Sequence, residues 1–312
     1  MFDISTPETY IPTIFLTLVA IFVSILYKDA KKNIKEHTKD LPYYHEISVS
    51  MNYIERNILE DGRFQYRKNI DPEITYENNI YNALRHAGVL YSMYLYEKLG
   101  LETKYKESRI KSSKYFIDRY IKKLDENKYA VVSIPEEEQI KFPIAKSGAS
   151  GVALCALANL YKEGEIELEV LQGLGEFLLS LQNEEGNVYA YYDIEKKIVN
   201  KLAEAVFYPA EAAIGWIYLY QVDPQEKWLT AAKKTLNYLV KSRKSMELDI
   251  PFDHWSVLAI EELFKNIDAL GNDNIFFNEY ANANYYPDKK TSNYGVRPIL
   301  TIKGNTLQLL AV

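Results

Sequence analysis

The stretch AKSGASGVALCALANLYKEG, residues 145–164, has no polar face along its central part. From Val152 to Leu157 every side chain is apolar or a thiol, so a helix here is apolar on all sides. A surface helix keeps one polar stripe, whereas a helix without one is buried all round. The segment therefore predicts an inner helix that other helices surround.

The same organisation recurs along the chain. An amphipathic helix is followed by a turn, a short extended aromatic stretch and a more apolar helix, in four successive units. The turn glycines Gly62 and Gly186 are two units apart, which gives a period of about 62 residues and indicates stacked helical hairpins. Amphipathic segments such as RYIKKLDENKY (119–129) and KKTLNYLVKSR (233–243) form the outer layer. Outer amphipathic helices around buried inner ones predict an all-α fold, an α/α toroid, with a straight solenoid as the alternative.

The pattern LQNEEGNVYAYYD (181–193), FYPAEAAIGWIYLYQ (207–221) and WLTAAKKTLNYLV (228–240) resembles the six-hairpin (α/α)-toroid glycosidase-like superfamily. The resemblance covers roughly residues 43–280. It implies activity on glycans, as a hydrolase, lyase or epimerase. Terpene-cyclase-like toroids share the hairpin rhythm, but no D-x-D-D-like motif is present.

The number of hairpins departs from this pattern. Six hairpins at this period need roughly 370 residues, and only a little over four fit. The tail GVRPILTIKGNTLQLLAV (295–312) reads as extended. The toroid is therefore open, or the chain is truncated, or a protein partner completes it.

The N-terminal segment YIPTIFLTLVAIFVSILY (10–27) carries no charge and is just long enough to span a bilayer as a helix. No Lys or Arg precedes it, which favours an uncleaved anchor over a signal peptide. Five lysines follow it within residues 28–39, so the positive-inside rule places the globular domain in the cytoplasm, with the extracytoplasmic side as the alternative. The expected organisation is a tail (1–9), a transmembrane helix (10–27), a basic linker (28–42), the toroid (43–275) and an irregular or extended C-terminal tail (276–312).

Composition excludes several functions. A net charge of −6 without a basic stripe in the globular part argues against a nucleic-acid partner. Cys155, the one cysteine, cannot form an intrachain disulfide. The four histidines show no metal-ligand spacing, and no G-x-S-x-G or G-x-G-x-x-G motif exists, so we expect neither a metal nor another cofactor.

Polar residues collect where the inner helices begin. In a toroid these starts lie at one mouth, and converging helix N-termini favour an anionic ligand such as a uronate or a phosphate. The first inner helix carries Asn82, Arg85 and His86 near its start. The second begins near Ser147, the third at Tyr208 with Glu211, and the fourth at Asp253 with His254 and Trp255.

Each candidate also has a structural interpretation. Glu211 follows Tyr208 by three residues, where it could bond back to the start of the helix, and Asp253 and Ser147 are suitable N-caps. His254 and Trp255 could be packing residues. Arg85 must meet a carboxylate, such as Glu77, Glu211 or Asp253, or else a ligand, because a buried unpaired guanidinium is unfavourable.

We therefore predict Glu211 and Asp253 as the catalytic carboxylates. The predicted substrate-binding residues are Asn82, Arg85, His86, Tyr191, Tyr208, His254 and Trp255, acting on a glycan or another small polar ligand. Glycosidic cleavage needs two carboxyl groups flanking the bond, and aromatic rings can stack on sugar faces. The alternative is a non-catalytic toroid that binds a ligand or a protein at the membrane.

Overall fold

The computed structural model describes residues 43–67, 80–100, 104–244, 253–266, 298–303 and 306–311. The helices are α1 (Tyr44–Arg56), α2 (Ala83–Lys98), α3 (Lys106–Tyr120), the single turn α4 (Pro135–Glu138), α5 (Ser147–Lys162), α6 (Leu168–Leu181), α7 (Tyr208–Tyr220), α8 (Glu226–Lys244) and α9 (His254–Asn266). The strands are β1 (Ile121–Lys123), β2 (Tyr129–Ser133), β3 (Ile144–Lys146), β4 (Tyr191–Asp193), β5 (Ile198–Asn200), β6 (Pro298–Lys303) and β7 (Thr306–Ala311).

The chain divides into two compact units. The smaller takes in α1 and the segment Leu95–Lys106, and in it the Tyr105 hydroxyl donates to the Asn52 side chain at 2.8 Å. The larger takes in Ile58–Tyr94 and the chain from Glu107 onward. The candidate site lies in the larger unit.

Inner helices α5 and α7 form the core of the larger unit. Both are buried along almost their whole length, as their all-round apolar sequences predict. They approach so closely that a Cβ atom on Gly151 would overlap the backbone carbonyl of Glu211, and one on Gly215 would overlap the backbone of Gly151. Glycine at these contacts lets the two backbones touch, which a larger residue would prevent.

Outer helices α6 and α8 each bury one stripe. Leu171, Leu174, Leu178 and Leu181 recur at helical spacing on α6 and are fully buried. At the start of α8, Trp228 is buried and donates its indole N–H to Asp223 at 2.9 Å. These helices agree with the predicted layer of amphipathic helices.

The prediction of an all-α fold is wrong in one respect, because an antiparallel sheet of order β1-β2-β3-β4-β5 is present. The extended aromatic stretches between the helices form it, with Ala145 opposite Tyr192 and Tyr192 opposite Val199. Extended backbone needs hydrogen-bond partners, and the equivalent stretches of successive hairpins supply them to one another. A pattern within one repeat cannot reveal this pairing.

The predicted helix over RYIKKLDENKY (119–129) is also wrong, since α3 ends at Tyr120. Ile121–Lys123 instead pairs with Tyr129–Val131 as a hairpin. Asp125 stabilises the turn by accepting the N–H of Asn127 at 3.0 Å, a local bond that competes with helix.

The predicted transmembrane segment (10–27) and basic linker (28–42) lie outside the described residues. Within the described ranges, no helix is both long and apolar enough to cross a bilayer. The membrane anchor therefore stays a prediction. Near the C-terminus, β6 and β7 pair as an antiparallel hairpin.

We predict that Gly151→Ala lowers the free energy of unfolding by at least about 2 kcal/mol, because its Cβ meets backbone atoms of α7 that cannot move aside. The matched control is Gly88→Ala on α2, where a Cβ meets nothing within 4 Å and helix propensity favours alanine by up to about 1 kcal/mol. Urea unfolding followed by circular dichroism measures both. Equal effects of the two substitutions would contradict the close α5–α7 contact.

Candidate functional site at the N-terminal ends of the inner helices

The first turns of α5 and α7 meet at the Glu211 side chain, and Asp253 before α9 lies nearby. Glu211 lies in the first turn of α7, and its Oε2 atom fits against Gly148 in the first turn of α5, where a Cβ would overlap it. Asp253, which precedes α9, is close enough to act electrostatically on Glu211. We call this place, defined by Gly148, Glu211 and Asp253, the mouth.

Glu211 is the most unusual group at the mouth. The residue is 2% exposed, and its buried Oε2 atom has no hydrogen-bond partner. Burial, assisted by the nearby Asp253 carboxylate, raises the pKa of Glu211 to about 8. The side chain is therefore mostly a neutral carboxylic acid at pH 7, with a proton available for donation. The alternative role as a cap is not realised, since no hydrogen bond joins this carboxyl to the Tyr208 backbone.

Asp253 is held differently. Its Oδ1 accepts the backbone N–H groups of Trp255 at 3.1 Å and Ser256 at 3.2 Å, so it is the N-cap of α9, one of the two roles expected from the sequence. Its Oδ2 accepts from the Arg243 guanidinium at 2.5 Å, in an ion pair whose side chains are 5% and 0% exposed. Burial raises the Asp253 pKa, and Arg243 opposes this rise. Asp253 is thus a fixed, compensated carboxyl, whereas Glu211 is an uncompensated one.

Tyrosines border the mouth on the side of the sheet. The Tyr208 ring shares the space over Gly148 with Glu211 and lies 5.8 Å from the Tyr191 ring, nearly at right angles. Burial raises the Tyr208 pKa, so this hydroxyl stays protonated. Two of the predicted binding residues therefore meet beside Glu211.

A second aromatic group stands at the start of α9. The His254 ring lies 5.8 Å from Phe207 and 5.3 Å from Trp255, and Trp255 in turn stacks against Tyr91 at 6.2 Å. His254 is exposed and Trp255 half-buried, and the two residues directly follow Asp253 in the chain. Phe207, which is not among the residues predicted from the sequence, directly precedes α7.

Arg85 and His86 do not face the carboxylates. Arg85 is exposed, and its guanidinium donates to the Tyr66 hydroxyl at 2.5 Å rather than meeting Glu211 or Asp253. Glu77, its other predicted partner, lies outside the described residues. A hollow of about 210 Å³, lined partly by Phe64, Tyr66 and Arg85, adjoins this contact.

His86 is a buried hydrogen-bonding centre. Its Nδ1 is 2.7 Å from the Tyr81 hydroxyl and its Nε2 is 3.0 Å from the Ser112 carbonyl oxygen. Since a carbonyl only accepts, Nε2 carries the proton and Nδ1 accepts from Tyr81. Burial lowers the His86 pKa to about 4, so the ring is neutral. With both nitrogens occupied, His86 fixes the packing of α2 against α3.

Glu138 and Lys146 connect two inner helix starts, and neither is among the site residues predicted from the sequence. Glu138 accepts from the Asn82 side chain at 3.1 Å and forms a buried ion pair with Lys146, the residue before α5. Asn82 also caps α2 by accepting the Arg85 N–H at 3.0 Å. Ser147 is the first residue of α5 rather than its cap, and its hydroxyl donates to the Ala190 carbonyl at 3.3 Å. No local signal marks Glu138, because its partners are 56 and 8 residues away.

The next groups to consider are a reactive thiol and a cluster of metal ligands. Cys155 is fully buried and burial raises its pKa, so its thiol is inert. In the described part of the chain, no three His, Cys, Asp or Glu residues come together as a metal site would require.

Comparison with known proteins supports the fold. No protein-family model and no curated protein matches the chain. A solved sugar epimerase from a ruminal bacterium superimposes with a TM-score of 0.52 at 14% identity, covering 82% of this chain and 70% of the epimerase. An α-1,6-mannanase from Salegentibacter sp. HEL1_6 gives 0.44 at 13% identity, covering 77% and 86% of the two chains. Its inactive variant in complex with α-1,6-mannotriose gives 0.43 at 14% identity, covering 75% and 84%.

The likeness to the epimerase supports an α/α-toroid architecture for the helices. At 14% identity it concerns the fold alone. The toroid fold expected from the hairpin rhythm is supported at that level, with the small sheet as an addition.

The Glu211 pKa predicts a pH-dependent stability. Between its ordinary value of 4.5 and about 8, the folded state keeps a proton that the unfolded state has lost, so stability falls as pH rises. His86 acts in the opposite sense between about 4 and 6.5, where only the unfolded state is protonated. Above pH 6.5, therefore, Glu211 still makes stability depend on pH, whereas His86 no longer does.

We expect the free energy of unfolding of the wild type to fall by about 1–2 kcal/mol more than that of Glu211→Gln between pH 6.5 and 8. Urea titrations at the two pH values measure this difference. Glu169→Gln, an exposed position on α6, should follow the wild type. A wild-type slope equal to that of Glu211→Gln would mean that Glu211 is already ionised in the folded protein.

Proposed function

We propose that this protein is a glycan-active enzyme with Glu211 as its proton donor. The observation that carries the proposal is a buried carboxyl group whose Oε2 has no partner and whose pKa is about 8, at the mouth of a toroid-type fold. A general acid works best when its pKa lies near the working pH, and burial beside a second carboxylate is how proteins achieve this. A glutamic acid needed only for stability would gain a hydrogen-bond partner.

The surrounding residues fit carbohydrate. Tyr191 and Tyr208, and likewise His254 and Trp255, offer flat apolar faces with polar edges, which suit the alternating C–H and hydroxyl surfaces of a sugar ring. A sugar ring stacked on Tyr208 lies beside Glu211, because the Tyr208 ring and the Glu211 carboxyl group both lie against Gly148. Asp253, kept in place by Arg243 and the α9 backbone, would be the second carboxyl group of the pair.

In this scheme Glu211 donates its proton to a sugar oxygen. This is the oxygen of the leaving group when a bond between sugars is cleaved, or the ring oxygen when the sugar ring opens. The Asp253 carboxylate stabilises positive charge that develops at the adjacent carbon, and the Glu211 carboxylate then recovers a proton from water or product. Hydrolysis begins with a proton transfer of this kind, whereas elimination and epimerisation also need a base that removes a carbon-bound proton, with Glu211 protonating the sugar oxygen.

We predict that Glu211→Gln lowers turnover at least 100-fold, because general acid catalysis contributes a factor of that order, while Glu169→Gln leaves it unchanged. Purified protein is incubated with neutral and acidic mono- and oligosaccharides, and proton NMR distinguishes new reducing ends, unsaturated products and inverted centres. Unchanged turnover in Glu211→Gln would remove this residue from the chemistry.

A non-catalytic, glycan-binding toroid is the second candidate. It is favoured by Asp253, whose two carboxylate oxygens are both engaged by Arg243 and the α9 backbone. In that case the wild type binds sugars without converting any of them, and Glu211→Gln changes affinity alone.

We also propose that residues 10–27 anchor the protein in a membrane with the domain on the cytoplasmic side. The uncharged segment and the lysines after it support this. Since Cys155 is buried, Glu126→Cys in the exposed β1–β2 turn introduces a single reactive thiol. An impermeant maleimide should label this variant after lysis but not in intact cells. Labelling of intact cells would reverse the orientation, and extraction by alkaline carbonate would contradict the anchor.

A further inference from the structure

A groove of about 530 Å³ runs over the face of the sheet next to the mouth. In an antiparallel sheet, residues directly opposite one another point to the same side. Lys146, Tyr191 and Asn200 form one such row, and Ile144, Asp193 and Ile198 form the next. The groove therefore extends from the start of α5 outward across two rows.

Tyr191 lies between the mouth and the groove. It lines the groove, and its ring lies 5.8 Å from that of Tyr208, which shares the space over Gly148 with Glu211. A ligand that occupies the mouth can thus continue into the groove over the Tyr191 ring. The volume is in the range of small-ligand sites, roughly 300–1,000 Å³.

The lining suits a sugar unit. Phe142 and Ile198 supply apolar surface, and the Asn200 amide nitrogen supplies hydrogen-bond donors, while its oxygen accepts the backbone N–H groups of Leu202 and Ala203. Apolar walls with a few polar groups are the usual composition of a small-ligand site.

The charges of the groove favour an anion. Asp193 is its one lining acid, and it is already engaged by Lys196 at 3.1 Å and by the Lys196 N–H at 2.8 Å, contacts that lower its pKa. Lys201 also lines the groove, is exposed, and forms no ion pair with the residues that the structure describes. Lys141, just outside, lies 5.5 Å from the Phe142 ring. Lys201 and Lys141 thus bring cationic charge that no carboxylate of the described residues pairs with.

We propose that the groove is a subsite for an acidic sugar unit, one bearing a carboxylate, in a glycan chain whose neighbouring unit occupies the mouth. This deepens the proposed function and rests on it. The substrate is then a chain of at least two units, and Lys201 selects its acidic member. The Arg85 guanidinium, bound to Tyr66 elsewhere, has no part in this selection.

The test measures binding, so that it does not depend on turnover. Trigalacturonate, triglucuronate and neutral cellotriose are titrated into the full-length protein at low ionic strength, with isothermal calorimetry as the readout. We expect at least one acidic trisaccharide to bind more tightly than cellotriose. Lys201→Glu should weaken that binding at least fivefold and leave cellotriose unaffected.

The matched control is Lys122→Glu, an equal change of charge on β1 at the opposite edge of the same sheet. It should bind all three probes as the wild type does. Both variants change exposed residues, and circular dichroism verifies that they fold. Equal weakening by the two variants would show a general charge effect and overturn the subsite.

Other outcomes separate this proposal from the catalytic one. Glu211→Gln should retain the acidic trisaccharide and its dependence on Lys201, even if no sugar is ever converted. Conversion of neutral sugars with equal affinity for all three probes would keep the proposed function and overturn the acidic subsite. Absence of binding by both acidic probes would overturn it as well.

Discussion

The close approach of α5 and α7 is the contact on which the rest of the site depends. Gly148, Gly151 and Gly215 remove the side chains that would keep the two backbones apart. Because the helices touch there, the first turn of α7 is buried and takes Glu211 with it. The same contact that packs the core therefore creates the unusual acid, since a wider spacing would admit water and restore an ordinary carboxylate.

The two carboxyl groups at the mouth differ in how their removal from water is offset. Asp253 is stabilised by Arg243 and by the backbone of α9, which oppose the rise of its pKa that burial causes. Glu211 has no such partner and keeps its proton instead. The packing of the neighbouring helices offsets the free energy lost when this carboxyl group is removed from water. Buried polar groups without a partner are characteristic of functional sites.

The sheet determines where a longer ligand can extend from the mouth. It grows from the extended stretches of successive hairpins, which pair because each would otherwise leave backbone groups without partners. Its outer face places Tyr191 at the boundary between mouth and groove. A helical core thus supplies the acid, while the strands between the helices supply the surface along which a longer ligand can lie.

The sequence by itself determined the alternation of amphipathic and apolar helices, the burial of α5 and α7, and the capping of α9 by Asp253, because each depends on neighbours within a few residues. It also indicated Glu211, through its position at the start of an apolar helix. Tertiary structure alone decided that Arg85 meets Tyr66, that His86 is bonded on both nitrogens, and that Glu138 joins Lys146 and Asn82. It also decided the sheet and the protonation of Glu211. These depend on partners far apart in the chain and on burial, which no local pattern encodes.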